Sequence, residues 1–176
     1  LDRVAVDRVG NVVVFDGRNG RVQVFDGVTH RCLTVWGGWS EALLDGRFHK
    51  REGFCGIAVD ADGNVYVTDS GNHRVQKFTR NGRFLAAWGS PGDQPGEFRT
   101  PLGIAVDADR QVYVVDSLNN RVQKFTCDGV LLTEWGRPGA APGEFTDPIG
   151  IAVADSGWVH VTDAGNHRVQ TFVPRP

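Results

Sequence analysis

Short apolar or alternating segments, separated by turn residues, run along the whole chain. Val65-Tyr66-Val67-Thr68 is β-branched and aromatic, and Arg74-Val75-Gln76-Lys77-Phe78 alternates polar and apolar residues. A period of two is typical of a strand with one buried face. Asp60-Ala61-Asp62-Gly63-Asn64 and Asp69-Ser70-Gly71-Asn72, which separate such runs, are rich in turn-forming residues. No window has a helical period of useful length, so the pattern predicts short β-strands throughout.

The pattern is an internal repeat. Arg-Val-Gln begins at residues 21, 74, 121 and 168, with spacings of 53, 47 and 47. Ile/Val-Ala-Val begins at 4, 57, 104 and 151 with the same spacings, and Trp-Gly begins at 36, 88 and 135. Four short strands in a unit of about 45 residues are typical of a β-propeller blade. We therefore predict an all-β propeller of four-stranded antiparallel blades, about four of which are visible.

The spacings also set the boundaries of the predicted blades. They occupy residues 1–37, 55–89, 102–136 and 149–173, and an insertion loop spans residues 38–54. Because neighbouring blades stack face to face, we expect the recurring apolar positions to fill the space between them. In the second and third repeats these positions are Ile57, Val59, Val65, Val67, Val75, Phe78, Leu85 and Trp88, and Ile104, Val106, Val112, Val114, Val122, Phe125, Leu132 and Trp135.

These units closely resemble NHL repeats. The resemblance is carried by Ile57–Asp60 and Asp62–Phe78, by Asp163–Gln170, and by the linker Pro95-Gly96-Glu97-Phe98-Arg99-Thr100-Pro101. The first repeat departs most, because Asp16–Arg21 lacks the His and the loop that follows is longer. The resemblance implies a propeller, commonly six-bladed, that serves mainly as a binding platform. Family members include tripartite-motif ubiquitin ligases, some of which bind RNA, and bacterial extracellular sensor domains.

The resemblance leads us to expect more of the ring than this sequence holds. The fourth predicted blade lacks its outer strand, and the 176 residues contain no methionine. We expect the chain to be a processed product or excerpt, forming the C-terminal four blades of a six-bladed ring. The ring would be closed by upstream blades or, alternatively, by another chain.

Composition narrows the classes of function. Hydrophobic residues make up 40% and charged residues 23%, which excludes a disordered chain. Lys and Arg number 19 against 21 Asp and Glu, so no strong basic field is expected to attract nucleic acid or a membrane. No apolar stretch approaches the ~18 residues of a membrane span. Three cysteines without a C-x-x-C pair, Cys32, Cys55 and Cys127, favour a reducing, cytoplasmic compartment.

The pattern Asp-x-x-x-x-Arg occurs in every repeat. The pairs are Asp16/Arg21, Asp69/Arg74, Asp116/Arg121 and Asp163/Arg168. We interpret each pair as a charged hydrogen bond across a tight hairpin. The alternative is a ring of guanidinium groups that collects anions on one face. Three residues after each Asp stands an Asn, at which we expect left-handed backbone: Asn19, Asn72, Asn119 and Asn166.

Metal and enzyme chemistry are not favoured. His73 and His167 lie at equivalent positions, which is a weak metal pattern, and a structural role is preferred. A zinc-dependent lyase acting on peptidyl-hydroxyglycine is related to the family, and it implies a metal-binding His just before the first strand of a blade. Cys55, Leu102 and Ile149 stand there, and Leu and Ile cannot bind zinc. We expect no catalytic residue, no metal and no cofactor.

The predicted binding surface is the face that carries the blade-to-blade loops and the Asp-x-x-x-x-Arg turns. The insertion 38–54 has apolar and basic residues that could anchor a partner. The alternative, which we favour, is that these residues fold back onto the blade. We expect a protein or peptide partner, with RNA as the alternative and a metal-dependent lyase as a third reading. The candidate contacts are Arg18, Trp39, Arg47, His49, Arg51, His73, Arg99, Asn120, Arg137 and His167.

Overall fold

The computed structural model describes residues 3–40, 44–49 and 56–173. Blade 1 consists of β1 (Arg3–Val6), β2 (Val12–Asp16), β3 (Arg21–Phe25) and β4 (Cys32–Gly37). The insertion contains a short parallel pair, β5 (Trp39–Ser40) and β6 (Phe48–His49). Blade 2 consists of β7 (Ile57–Val59), β8 (Val65–Asp69), β9 (Arg74–Phe78) and β10 (Phe84–Trp88). Blade 3 consists of β11 (Pro101–Val106), β12 (Val112–Asp116), β13 (Arg121–Phe125) and β14 (Leu131–Trp135), and blade 4 of β15 (Pro148–Val153), β16 (Val159–Asp163) and β17 (Arg168–Phe172).

Each blade is an antiparallel sheet whose strands follow one another in sequence order. The innermost strands β1, β7, β11 and β15 contact one another in blade order. A cavity of about 170 Å³ at one end of these strands is lined from all four blades, by residues that include Val6, Val59, Val106 and Val153. The predicted fold is confirmed: four blades are arranged as a propeller around a common axis.

Two faces follow from this topology, because antiparallel strands turn alternately at opposite ends of a blade. We call the loop face the one that carries the blade-to-blade linkers and the second-to-third-strand turns, at residues 17–20, 70–73, 117–120 and 164–167. The turn face carries the remaining turns. Within the described part of the chain, helical structure is confined to three-residue 3-10 turns, at Ser70–Asn72, Ser117–Asn119 and Ala164–Asn166, so no helix there could cross a membrane.

The core lies between blades rather than within them. Val13, Phe15 and Val22 of blade 1 pack against Val65 and Val67 of blade 2 in one buried cluster. Corresponding clusters fill the spaces between blades 2 and 3 and between blades 3 and 4. A tryptophan at or next to the end of each described outer strand reaches across to the next blade, as Trp36 does to Phe78 with ring centroids 4.6 Å apart.

Two of the expected core residues are wrong. Leu85 is 37% exposed and Leu132 is 48% exposed. The pairing of β9 with β10 shifts by one residue after Phe84, and β13 with β14 shifts in the same way. A one-residue shift turns the following side chains to the other face of the sheet. Phe84 and Leu131 therefore occupy the inward positions.

The expected left-handed asparagines are also wrong. The left-handed residue of each turn is the next one, with φ of 61° at Gly20, 53° at His73, 52° at Asn120 and 53° at His167. Asn72 instead ends the 3-10 turn and donates its side-chain amide to Asp69, at 2.8 Å. The Asn of the repeat is therefore selected by its side-chain donor rather than by its backbone.

Candidate functional site

On the loop face, a buried Asp accepts hydrogen bonds from the turn and from the linker. Blade 3 shows all of these hydrogen bonds. Asp116 Oδ2 accepts hydrogen bonds from Arg121 Nε at 2.8 Å, Asn119 Nδ2 at 2.8 Å and Gln123 Nε2 at 3.2 Å. Its Oδ1 accepts from the backbone N–H of Arg99, at 2.7 Å. Burial raises the pKa of Asp116 above its ordinary value, although these hydrogen bonds oppose the shift.

The same Arg and Gln hold the linker that arrives from the preceding blade. Arg121 Nη2 donates to the carbonyls of Gln94 and Glu97, both at 2.9 Å. Gln123 Nε2 donates to the Glu97 carbonyl at 2.7 Å, while its Oε1 accepts from the N–H of Gly96 at 2.8 Å. We call this arrangement of Arg and Gln around a linker the linker clamp. It satisfies backbone groups that would otherwise lie near the blade interface without partners.

The linker clamp recurs in blades 2 and 4. In blade 4, Gln170 holds Gly143 and Glu144 in the same way. In blade 2, Gln76 accepts from the N–H of Gly46 at 2.9 Å and donates to the Arg47 carbonyl at 2.8 Å. Gly46-Arg47-Phe48 therefore takes the place of Gly96-Glu97-Phe98, so the insertion keeps the ordinary linker core. Sequence reasoning missed this, although Gly-x-Phe before a first strand was the signal.

The repeated arginines are structural in blades 2 to 4. The side chains of Arg74, Arg121 and Arg168 are 7%, 10% and 29% exposed, and each binds an Asp carboxylate and linker carbonyls. The interpretation as a charged hairpin bond is confirmed. The alternative of an anion-collecting ring is wrong for these blades, because their guanidinium groups are already bound within the protein.

His73 and Asn120, two of the candidate contacts, join each turn to the linker that follows. His73 Nδ1 accepts from the N–H of Thr100 at 3.2 Å, and Asn120 Oδ1 accepts from the N–H of Asp147 at 3.0 Å. Thr100 and Asp147 both have left-handed backbone, with φ of 57° and 49°. His167 has the equivalent position in blade 4 and is exposed.

Candidates from the insertion lie partly against blade 1. Trp39 donates Nε1 to the carbonyl of Arg18 at 3.1 Å and meets Phe15 edge-on, with centroids 6.4 Å apart. Arg47 Nη1 donates to the Gly37 carbonyl at 2.6 Å. Arg18 and Arg47 are exposed. These contacts match the preferred expectation that the insertion folds back onto the blade.

Two candidates from the insertion are not fully described. His49 pairs with Ser40 through its position in β6, and its side chain lies outside the described structure. Arg51 lies outside the described residues, as does Cys55, one of the residues tested against the zinc pattern. These positions remain predictions from the sequence.

The remaining candidates are on linkers. Arg99 is exposed, and Arg137 forms an ion pair with Glu144 at 2.9 Å. The N–H of Ala141 and the Arg137 guanidinium hold the pKa of Glu144 below its ordinary value. Sequence reasoning missed two exposed apolar residues on the same face, Leu118 and Ile149, which are 55% and 39% exposed. Their residue type gave no signal, because elsewhere in the repeats such residues form the core.

Groups away from the loop face have structural partners. Tyr66 and Tyr113 donate their hydroxyls to Asp60 and Asp107, both at 2.9 Å. Burial and the adjacent carboxylate raise the pKa of both tyrosines. Among the described residues, no group of three or more His, Cys, Asp or Glu side chains could hold a metal ion.

Solved structures with the same fold are similar to this chain over nearly its whole length. A streptogramin B lyase aligns with a TM-score of 0.67 and 17% identity, covering 98% of this chain and 54% of the other. The virginiamycin B lyase from Staphylococcus aureus gives 0.66 and 15%, covering 98% and 55%. A chain of a nidogen/laminin complex gives 0.67 and 20%, covering 97% and 59%. The chain thus spans little more than half the length of these proteins, and the identities show the fold alone.

No curated protein matches the sequence. The family model for the NHL repeat matches at residues 56–78, 98–125 and 145–172. These matches cover the first three strands of blades 2, 3 and 4 together with the linker residues Phe98 and Phe145. Blade 1, which lies outside the matches, has the same strand order and the same Asp16–Arg21 bond. The chain therefore carries three NHL repeats, which form the inner strands of blades 2 to 4 of a four-blade β-propeller.

Proposed function

We propose that the chain is a non-catalytic binding platform that takes a protein or peptide partner on its loop face. The observation that carries the proposal is the surface around the blade 3 turn. Leu118 is 55% exposed and donates its N–H to the carbonyl of the exposed Arg99, at 3.1 Å. On its other side, Asn120 holds Asp147, two residues before the exposed Ile149. Exposed apolar residues beside an arginine are typical of protein contact surfaces.

The linker clamps support a rigid platform. They bind the linker backbone from beneath, so the exposed side chains project from a fixed support. Preorganised surfaces lose less conformational entropy on binding than flexible loops do. The proposed contacts are those expected from the sequence, together with the two apolar residues: Arg18, Trp39, Arg47, His49, Arg51, His73, Arg99, Asn120, Arg137, His167, Leu118 and Ile149.

The internal hydrogen bonds of the repeated arginines favour a protein partner over RNA. RNA backbone recognition needs clustered positive charge. Arg74, Arg121 and Arg168 are bound within the framework, and the net charge of the chain is −2. The nidogen/laminin complex gives a precedent for a chain of this fold within an assembly of proteins. The similar lyases are a precedent for an enzyme, which is the third candidate.

The test is selection of phage-displayed random peptides on the immobilised chain. Leu118→Ser and Ile149→Ser should each weaken binding of the selected peptides by tenfold or more, about 1.4 kcal/mol. The matched control is Val130→Ser, because Val130 is 63% exposed in the same blade but on the turn face. That variant should bind the peptides as the parent does.

Two results would overturn the proposal. One is a set of selected peptides whose binding is indifferent to Leu118→Ser and Ile149→Ser. The other is tight binding of a random RNA pool that falls steeply with salt and is lost in Arg47→Ala or Arg99→Ala. The second result would establish the RNA alternative.

A further inference from the structure

A hydrogen bond to a histidine ring nitrogen joins the blade 2 turn to the linker that leads into blade 3. His73 is half-buried, and its Nδ1 accepts from the backbone N–H of Thr100 at 3.2 Å. An imidazole nitrogen accepts a hydrogen bond only when it carries no proton, so the ring is neutral and has its hydrogen on Nε2. Protonation of His73 would place a hydrogen on Nδ1 and remove the acceptor.

The N–H that His73 holds belongs to a strained residue. Thr100 has left-handed backbone with φ of 57°, which is an outlier for a β-branched side chain. Because Pro101 follows, extended backbone is favoured further at this position. Such a conformation persists only where the surrounding structure holds it. Without the acceptor on His73, we expect Thr100 to relax towards extended backbone.

Blade 3 contains the same contact with an acceptor that does not titrate. Asn120 Oδ1 accepts from the N–H of Asp147 at 3.0 Å, and Asp147 is also left-handed, with φ of 49°. A proline follows Asp147, as it follows Thr100. Of these two described contacts, the one at His73 alone depends on a side chain that changes charge between about pH 5 and pH 8.

The contact lies beside the proposed partner surface. Arg99, one of the candidate contacts, directly precedes Thr100 and is exposed. Its carbonyl accepts from the N–H of the exposed Leu118, at 3.1 Å. Rotation about φ of Thr100 moves the peptide group that contains this carbonyl. Relaxation of Thr100 therefore disturbs the hydrogen bond that fixes Arg99 next to Leu118.

We propose that the contact between His73 Nδ1 and the Thr100 N–H is a pH-sensitive latch, which we call the His73 latch. Neutral His73 holds Thr100 in its left-handed conformation and keeps Arg99 beside Leu118. Protonated His73 releases Thr100 and weakens binding of the partner. The effect on binding rests on the proposed function, whereas the effect on Thr100 does not.

Other ionisable groups surround the latch. Those on the described elements around His73 are Asp69 and Arg74 of its own hairpin, Asp45, Arg47 and His49 of the insertion, Asp93, Glu97 and Arg99 of the linker, and Asp116 of blade 3. Arg74 forms ion pairs with both Asp69 and Asp45. Two members require a control: His49 because of its residue type, and Asp116 because burial raises its pKa above the ordinary value.

The first measurement follows backbone amides of the whole chain by NMR as the pH is lowered from about 7.5 to about 5.5, across the range in which histidine titrates. The hydrogen-exchange protection factor of Thr100 should fall by about tenfold, as expected for loss of one hydrogen bond. That of Asp147 should stay constant. His73→Asn copies the acceptor of blade 3 and should make protection of Thr100 independent of pH. It leaves His49 and Asp116 in place, so it separates their titration from that of His73.

Two further variants test the position of the histidine. Asn120→His should transfer the latch to blade 3, so that protection of Asp147 also falls with pH. His167→Asn changes the exposed histidine at the equivalent position of blade 4. It is the matched control and should behave as the parent does.

The second measurement is the affinity of selected peptides that contain no histidine. Their affinity should be lower at about pH 5.5 than at about pH 7.5 for the parent and for His167→Asn. It should be the same at both pH values for His73→Asn. If no peptide is selected, or if binding is indifferent to Leu118→Ser, the proposed function fails, and the Thr100 measurement still decides whether the latch exists.

Three results would overturn the inference. Protection of Thr100 could be independent of pH in the parent. It could fall equally in the parent and in His73→Asn, which would assign the titration to another group. Peptide affinity could be the same at both pH values although Thr100 is released, which would exclude regulation of the partner site.

Discussion

The indole ring of Trp39 lies directly over the Cα of Gly20, where a β-carbon would overlap the ring. Gly20 is the left-handed residue of the blade 1 turn, a position held by His or Asn in the other blades. The absence of His from the first repeat therefore has a physical reason, because the insertion lays Trp39 where that side chain would begin. The turn and the insertion are matched to each other although Gly20 and Trp39 are 19 positions apart in the sequence.

Gly20→Ala should displace Trp39 and destabilise the chain by about 2–4 kcal/mol, through overpacking and left-handed strain together. Urea unfolding followed by tryptophan fluorescence measures the change. Gly10→Ala is the matched control, because Gly10 has a φ of 87° and open space around its Cα. It should show the strain alone, about 1 kcal/mol. Equal losses in the two variants would contradict the packing of Trp39 on Gly20.

Trp36 and Trp88 occupy equivalent positions but differ in one hydrogen bond. Trp36 Nε1 donates to the carbonyl of Arg80 in the next blade, at 3.1 Å. Trp88 Nε1 is buried and has no acceptor among the described residues. The corresponding carbonyl, that of Cys127, is bound by Lys77 Nζ at 2.9 Å. In blade 1 the residue at the position of Lys77 is Val24, which does not compete.

Trp36→Phe should therefore cost more stability than Trp88→Phe, by about 1–2 kcal/mol. The first change leaves a carbonyl without its donor, while the second removes a buried N–H that had no acceptor. The two variants lose similar ring area, so each is the control for the other. Chemical denaturation of both measures the difference, and equal or reversed losses would show that Trp88 has an acceptor in solution.

The sequence was sufficient for what depends on periodicity. The spacing of Arg-Val-Gln and Trp-Gly predicted the blades, and the five-residue separation of Asp and Arg predicted the bond between Asp69 and Arg74. Both features are local to one hairpin. The predicted burial of Leu85 and Leu132 was wrong, because a one-residue bulge changes which side chains face inward without any change in composition.

The linker clamp could not be predicted, because its ligands are backbone groups. Gln123 recurs as the third residue of Arg-Val-Gln, but its partners are the Gly96 N–H and the Glu97 carbonyl, 27 and 26 residues earlier. Backbone carbonyls carry no sequence signature. The burial of the repeated arginines follows from the same contacts. For this reason the sequence could not predict that these arginines are unavailable to bind an anion.

Gln123 and its blade 1 counterpart Gln23 test how much the hydrogen bonds of the linker clamp contribute to stability. Gln123→Ala should destabilise the chain by about 2–4 kcal/mol, because the Gly96 N–H and the Glu97 carbonyl lose a buried partner. Gln23→Ala should change the free energy of unfolding by less than about 0.5 kcal/mol, since its side chain binds nothing in the described chain. Urea unfolding of the two variants is the measurement. A large loss of stability in Gln23→Ala would show that the Gln23 side chain has a partner within the folded chain.

Asp163 should make the stability of blade 4 depend on acidic pH. Burial alone would raise its pKa, but hydrogen bonds from the Thr146 N–H, Asn166 and Arg168 outweigh burial and hold the pKa below its ordinary value of 3.8. A carboxyl group whose pKa is lower in the folded state stabilises the fold above its unfolded pKa. That stabilisation is lost as pH falls through the folded pKa, so the window lies below about pH 4.

Asp163→Asn should therefore lower stability at pH 6 and flatten the decline below pH 4, as followed by urea midpoints from pH 6 to pH 2. Asp155→Asn is the control, because Asp155 is an exposed carboxylate of the same blade, and it should leave the decline unchanged. Asp116 should show the opposite pH dependence of stability. Burial raises its pKa in the folded state, so its contribution to stability weakens as pH rises through that folded pKa. If Asp163→Asn and the parent decline in parallel, the hydrogen bonds to Asp163 do not outweigh its burial.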